Sequence, residues 1–221
     1  MERKKAPASV RNKERSKQKF LNAVGEILKK EGYTGLKINH IAATAGVDKT
    51  MIYSCFGGLE GLLDAYIRSV DFWSNVGIDQ VPQEITDGGE ALATSLLLAQ
   101  SKAVFAEKEL QKILLWRLSE PRKSLEKMTE QQEKAGELLF QHITDPYFGE
   151  NAGALRAVMA ILVSGLYHLN LYASVNGSVF CGIDLASESG RAAIDDAVSF
   201  LVSQTFKNLK PGVPGTEEQD S

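Results

Sequence analysis

The sequence predicts an all-α protein, with a small helix-turn-helix domain at its N-terminal end and a larger helical body behind it. Apolar residues recur at three- and four-residue spacing through most of the 221 residues. That is the period of a helix face rather than the alternation of a strand. Glycine, proline and clusters of small polar residues interrupt the period at intervals suited to helix ends. The stretch 38–56, INHIAATAGVDKTMIYSCF, reads as two short helices joined by a tight turn.

Each part of that stretch has a reason. Ile38, Ile41, Ala42 and Ala45 lie on one helix face. Gly46 stops the helix, because glycine enters the left-handed conformation without steric penalty. Asp48 then offers a carboxylate to the free amides of the next first turn. The second helix buries Ile52 and Phe56 and leaves Lys49, Thr50, Tyr53 and Ser54 on or beside its other face. Small Ala42 allows a close crossing, with Ile52 expected to fill the angle between the two helices. This is the pattern of a helix-turn-helix, whose second helix enters the major groove of DNA. The competing reading is an ordinary helical hairpin inside a core.

Charge distribution favours the first reading. The net charge is −3, which by itself argues against nucleic acid. Residues 1–56, however, hold twelve Lys and Arg against five Asp and Glu, whereas residues 57–221 hold thirteen against twenty-three. A basic head on an acidic body concentrates attraction for phosphate at the end that carries the motif.

The surroundings of the motif resemble the N-terminal domain of the TetR family of bacterial transcription regulators. The resemblance is carried by Phe20-Leu21-Asn22-Ala23, Glu31-Gly32-Tyr33, Ile41-Ala42, Ala45-Gly46-Val47, Lys49, Ile52-Tyr53, Phe56 and Leu62-Leu63. It covers roughly the first quarter of the chain and says little about the rest. It implies a homodimer on double-stranded operator DNA, and an effector bound between helices of the body. Family sequences usually place a threonine cap where Lys37 stands; lysine accepts no amide proton but offers a charge to the DNA backbone. They often carry Pro-Ser-Lys at positions 57–59, with the lysine on phosphate. Here Gly57, Gly58 and Leu59 stand instead, so that contact is missing, although the amides at Gly58 remain available to phosphate. The DNA-binding residues expected are therefore Lys37, Asn39, Lys49, Thr50, Tyr53, Ser54 and Gly58.

In chain order, residues 1–15 form a basic arm expected to be disordered when free. Residues 16–57 form the DNA-binding domain, 58–209 the helical ligand-binding and dimerisation domain, and 210–221 a disordered tail. The first helix, about 16–30, buries Phe20, Ala23, Val24 and Ile27. The fourth, about 58–76, carries the stripe Leu59, Leu62, Leu63, Tyr66, Ile67, Val70 and Trp73. A linker at 77–89 precedes helices at about 90–105 and 108–118. Pro121 suits the first turn of the next helix, which Asp145-Pro146 should end. The stretch 157–175 contains no formally charged residue, long enough to raise a transmembrane reading. Ser164, Gly165, His168 and Asn170 argue against it. Its seam Leu155, Met159, Leu162, Leu166 and Leu169 suits a core, and its small face Gly153, Ala157, Ala160 and Ser164 suits a close neighbour. A loop at 176–184 leads to the last helix, about 187–208. Those two helices provide what a four-helix dimer interface needs.

Catalytic chemistry is thin, and no enzyme is expected. His40, His142 and His168 fall on separate predicted helices without metal-ligand spacing, so no metal or cofactor is implied. Glu130, Glu133 and Glu137 read as a solvated stripe. Cys55 and Cys181 read as buried or partly buried thiols in a reducing cytosol. The basic start has no apolar core of a signal peptide, and a cytoplasmic location is expected. The aromatic and polarizable residues Trp73, Trp116, Met128, His142, Tyr167 and His168 are the ligand-binding candidates, for an unidentified apolar or amphipathic small molecule. The leading expectation is a homodimeric repressor released from operator DNA by that effector. The alternatives are a constitutive or architectural DNA binder and a helical small-molecule binder or enzyme.

Overall fold

The computed structural model describes residues 8–70 and 85–209, with side chains from residue 12 onward. The calls on Trp73, on the end of the fourth helix, on most of the linker, on the first seven residues and on the tail lie outside the described residues. The rest is helical: α1 (Ala8–Glu31), α2 (Ile38–Ala45), α3 (Thr50–Phe56), α4 (Leu59–Val70), α5 (Glu90–Ala106), α6 (Lys108–Ser119), α7 (Lys123–Leu139), α8 (Asp145–Phe148), α9 (Ala152–Val175) and α10 (Glu188–Leu209). These elements form two compact units, divided differently from the boundary at 57/58. One is built from residues up to 70 with 106–132, the other from 85–105 with 133–209. α6 and the first part of α7 thus belong with the N-terminal helices.

In the first unit the 3.6-residue period becomes a core. Phe20, Val24 and Ile27 of α1, Ile41 of α2, Ile52 of α3, Leu62, Leu63 and Ile67 of α4, and Ile113, Leu114 and Trp116 of α6 are each at most 2% exposed. α3 packs chiefly on α1 and α4, so Ile52 enters a multi-helix core rather than only the angle beside α2. Phe56 closes that core with its ring edge-on to Phe20, centroids 6.3 Å apart. Trp116 stacks on Tyr33 at 5.5 Å, lies under the Arg122 guanidinium at 5.2 Å, and donates its indole N–H to Glu120 at 2.8 Å. Arg122 also reaches Glu60 of α4 at 3.2 Å.

In the second unit Leu97, Phe148, Leu155, Met159, Leu166, Val198, Val202 and Phe206 form one buried cluster. Its residues on α9 and α10 recur at helical spacing, and the seam expected on α9 is the face turned inward. A polar patch interrupts the contact of α5 with α9. Gln100 donates to the Tyr167 hydroxyl, and Asn170 donates to Ser101 at 3.2 Å. Asp87 caps α5 through the amides of Gly89 and Ala91, at 2.9 and 2.8 Å.

Several local expectations are corrected. α1 begins at Ala8, inside the stretch read as a disordered arm. No proline or glycine interrupts residues 8–15, and lysine and arginine are good helix formers. α7 starts at Lys123, with the Arg122 carbonyl accepting from Glu126 at 2.8 Å, so Pro121 precedes the helix instead of opening it. Asp145-Pro146 does not end the helical run. A wide π turn at Phe140–Thr144 comes first, Pro146 occupies the first turn of α8, and Gly149 at φ 55° ends it. Proline is tolerated there because a first-turn amide has no partner within its helix. The loop at 176–184 contains a short hairpin, pairing Val179 with Asp184 and Phe180 with Ile183. Cys181 sits at its turn with φ 50° and is exposed, not buried, while Cys55 is half-buried.

Arg156 holds the π turn and α8 to α9. Its guanidinium reaches both oxygens of Glu137, at 2.6 and 3.1 Å, and both of Asp145, at 3.2 and 2.6 Å. It also lies 4.8 Å from the Phe140 ring centroid. The hydrogen bonds from Arg156 keep both carboxyls below their ordinary values. Their contribution to stability is therefore present at neutral pH and lost as pH falls through and below the usual carboxylate range, about pH 4. In thermal melts between about pH 7 and about pH 3, the wild-type midpoint should start higher and fall more steeply than that of Arg156→Ala. Parallel curves would show that the clamp contributes nothing.

Candidate nucleic-acid interface

The turn between α2 and α3 forms as its residues dictate. α2 begins at Lys37 without a side-chain cap, as a lysine there requires. Gly46 adopts φ 60°, ψ 39°, and its N–H and that of Val47 return to the carbonyls of Ala43 and Ala42 at 3.2 Å. That pattern satisfies the last carbonyls of α2 and turns the chain sharply. The Asp48 Oδ1 then accepts the Thr50 backbone N–H at 2.7 Å and the Thr50 hydroxyl at 2.5 Å. These bonds, the side-chain one first, hold the Asp48 carboxyl below its usual range. Ile52 is fully buried, which fixes the rotation of α3 about its axis. Position 61 fixes its other end: a Cβ on Gly61 would lie 1.8 Å from the Phe56 carbonyl oxygen. The sequence reading missed Gly61, although a glycine inside an otherwise apolar helical stripe is a signal of close backbone approach.

The side chains expected to meet DNA share one unit, and most are solvent-facing. Lys37, Asn39, Lys49, Thr50, Tyr53 and Ser54 are all exposed, Tyr53 by 58%. The Lys49 ammonium reaches the Asn39 side-chain oxygen at 3.5 Å, bringing the two motif helices together at their charged face. Thr50 spends its hydroxyl proton on Asp48, and Ser54 donates to the Met51 carbonyl at 3.3 Å. Both keep lone pairs but are partly committed to the helix itself. Gly58 is buried, with the Tyr53 ring 3.9 Å from where a Cβ would sit. His40 faces its own unit instead, its Nδ1 3.1 Å from the Gly35 carbonyl oxygen.

The ligand candidates divide between the two units. Trp116 and Met128 belong to the first and are 1% and 2% exposed. Trp116 is enclosed by Tyr33, Arg122 and Glu120, so its ring and its N–H are already occupied. His142, Tyr167 and His168 belong to the second. His142 is exposed, its Nδ1 2.9 Å from the Leu138 carbonyl oxygen. His168 lies against Tyr172 and Phe180, with centroids 6.0 and 5.7 Å away. Tyr167 accepts from Gln100 within the α5–α9 patch. Tyr167 thus belongs to the polar patch that also contains Gln100, Ser101 and Asn170.

No family model and no curated protein sequence matches the chain. Solved structures do. One crystal structure of NalD, the secondary repressor of the MexAB-OprM multidrug efflux pump in Pseudomonas aeruginosa, aligns over 91% of this chain and 99% of its own, with 16% identity and a TM-score of 0.57. A second, of native NalD, covers the same shares of the two chains, with 17% identity and a TM-score of 0.58. The chain shares the all-helical fold of NalD. At such identity the likeness concerns architecture, and the exposed side chains of α2 and α3 have to be argued from their own geometry.

Gly61→Ala should displace α3 or α4, since a backbone carbonyl cannot yield as a side-chain tip can. Overpacking of this kind costs about 1–3 kcal/mol. Urea denaturation should show a lower midpoint with an unchanged slope. A variant as stable as wild type would show that the turn is looser than its geometry implies.

Proposed function

We propose that this chain is a homodimeric, DNA-binding transcription regulator of the TetR type, acting as a repressor that a small molecule releases from its operator. The observation that carries the reading is the presentation of α3. The helix is locked by a buried Ile52 and a capped start, and it turns Tyr53 outward, with Lys49 at its start reaching Asn39 of α2. A helix so held enters the major groove, while the flanking lysines meet phosphate. The excess of basic residues over 1–56 and the fold shared with a repressor support it.

The outer faces of α9 and α10 support the proposed dimer. Only 17% of the most apolar window in the helical run Lys123–Val175 is buried, and that window is long and apolar enough to cross a membrane by length and composition. Its outer face carries Gly153, Ala157, Ala160 and Ser164, all exposed, with Ile161 71% exposed. On α10, Phe200 and Leu201 are 62% and 45% exposed. Small residues beside large apolar ones suit a second copy of the same two helices packed closely in a four-helix arrangement. The basic head and the polar groups along α9 favour that partner over lipid. A regulator of this kind works in the cytoplasm, on DNA.

An apolar or amphipathic effector is proposed to engage the second unit, beside Tyr167 and His168 of α9. It acts only through different affinities for the two states of the protein, and operator DNA must weaken it by the same factor.

Fluorescence anisotropy with fragments selected from genomic DNA tests the core of this reading. Binding should be specific, salt-dependent and two-fold symmetric, with half-sites about 34–36 Å apart. Lys49→Ala should weaken every sequence alike and reduce the log–log salt slope by about 1, as loss of one phosphate contact does. An unchanged slope would remove Lys49 from the interface. Ala160→Glu places an unpaired charge on the proposed contact face, which is costly once covered. Sedimentation should show monomers and loss of operator binding; a dimer that binds normally would mean that another face pairs.

A further inference from the structure

We propose that Asp48 reads a base: its carboxylate accepts a hydrogen bond from the exocyclic amino group of a cytosine in the major groove. This rests on the DNA-binding reading and adds a specificity to it. Asp48 is exposed at the start of α3, where residues of a recognition helix reach base edges. Two donors from Thr50, at 2.7 and 2.5 Å, converge on Oδ1. They fix the plane of the carboxylate and leave Oδ2 without a partner among the described residues. Capping alone does not call for this arrangement, since serine or asparagine caps a helix as well. The Lys49 ammonium, close by in sequence, reaches Asn39 on α2.

The consequence is a rigid, ionised acceptor on a surface that approaches a polyanion. Facing phosphate it is repelled, and facing the acceptor atoms of guanine or thymine it is repelled again. The donors on major-groove edges are the amino groups of cytosine and adenine. Adenine presents its N7 acceptor beside that amino group, which opposes a carboxylate, whereas cytosine presents the donor alone. The charge and the locked orientation together select cytosine.

Sequencing of fragments retained from a randomised library tests this with full-length wild type, Asp48→Ser and Asp48→Asn. Both substitutions keep a capping oxygen, and thermal melting verifies that each variant is folded. Wild type should favour cytosine at one position in each half-site by roughly tenfold. Asp48→Ser should lose that preference and keep the others. Asp48→Asn should move it to adenine, whose N6 and N7 match a carboxamide. If both folded variants select the wild-type base everywhere, Asp48 only caps the helix and the proposal is wrong. A wild type that retains no preferred sequence refutes the DNA-binding reading itself, so the wild-type arm separates the two failures.

Discussion

Burial of one face of α3 against α1 and α4 is the constraint on which the interface depends. A seven-residue helix is too short to be stable alone. It exists because Ile52 is fully buried and Phe56 meets Phe20 edge-on. The same burial decides which residues remain outside. Turning α3 by one residue about its axis would bury Tyr53 and expose Ile52. The chemistry of the surface is therefore set by the packing beneath it.

Caps and close approaches refine what burial begins. Gly46 ends α2 in a left-handed conformation and Asp48 starts α3, so the turn is defined on both sides by backbone satisfaction rather than by contacts across it. Gly61 lets α4 begin almost against the last carbonyl of α3. α6 belongs to the same unit, tied to α1 by Lys29 and Glu109 at 2.6 Å. Two buried hydroxyls in this unit, those of Tyr66 and Ser124, have no hydrogen-bond partner among the described residues. Tyr66 is 5% exposed with no hydrogen-bond partner, and its oxygen lies 2.9 Å from where a Cβ on Gly25 would sit. Burial pushes that phenol far above its ordinary pKa, with the nearby Glu109 charge adding to the effect.

The second unit solves a different problem. Its helices are apolar enough to bury one face in the Leu155–Met159–Leu166 seam and still leave another outward. Charged groups are kept out of that core and gathered at its edge, where Arg156 binds two carboxylates at once. Neutral groups line the α5–α9 contact instead, through Gln100, Tyr167 and Asn170. A neutral internal patch costs less desolvation than an ion pair and leaves hydrogen-bonding capacity beside apolar walls.

The sequence by itself determined the helical class, the α2–turn–α3 motif, the caps at Gly46 and Asp48, the core residues Phe20, Ile41 and Ile52, and the inward seam of α9. Each follows from a local period or from one residue's backbone preference, which neighbours in the chain already fix. It also placed Lys49 and Tyr53 outside, because Ile52 and Phe56 supply the apolar face of the helix and these two lie at its start and flank. Tertiary structure alone decided the rest. Trp116 is an enclosed core residue because Tyr33, far away in sequence, stacks on it. Gly58 is covered because the Tyr53 ring folds over it. Asp145-Pro146 lies within a continuing helical run because Arg156, on another helix, clamps the widened turn that admits it. Periodicity records which face a residue occupies. It holds no record of which distant side chain completes that residue's surroundings, and that contact decides whether an aromatic ring is core or site.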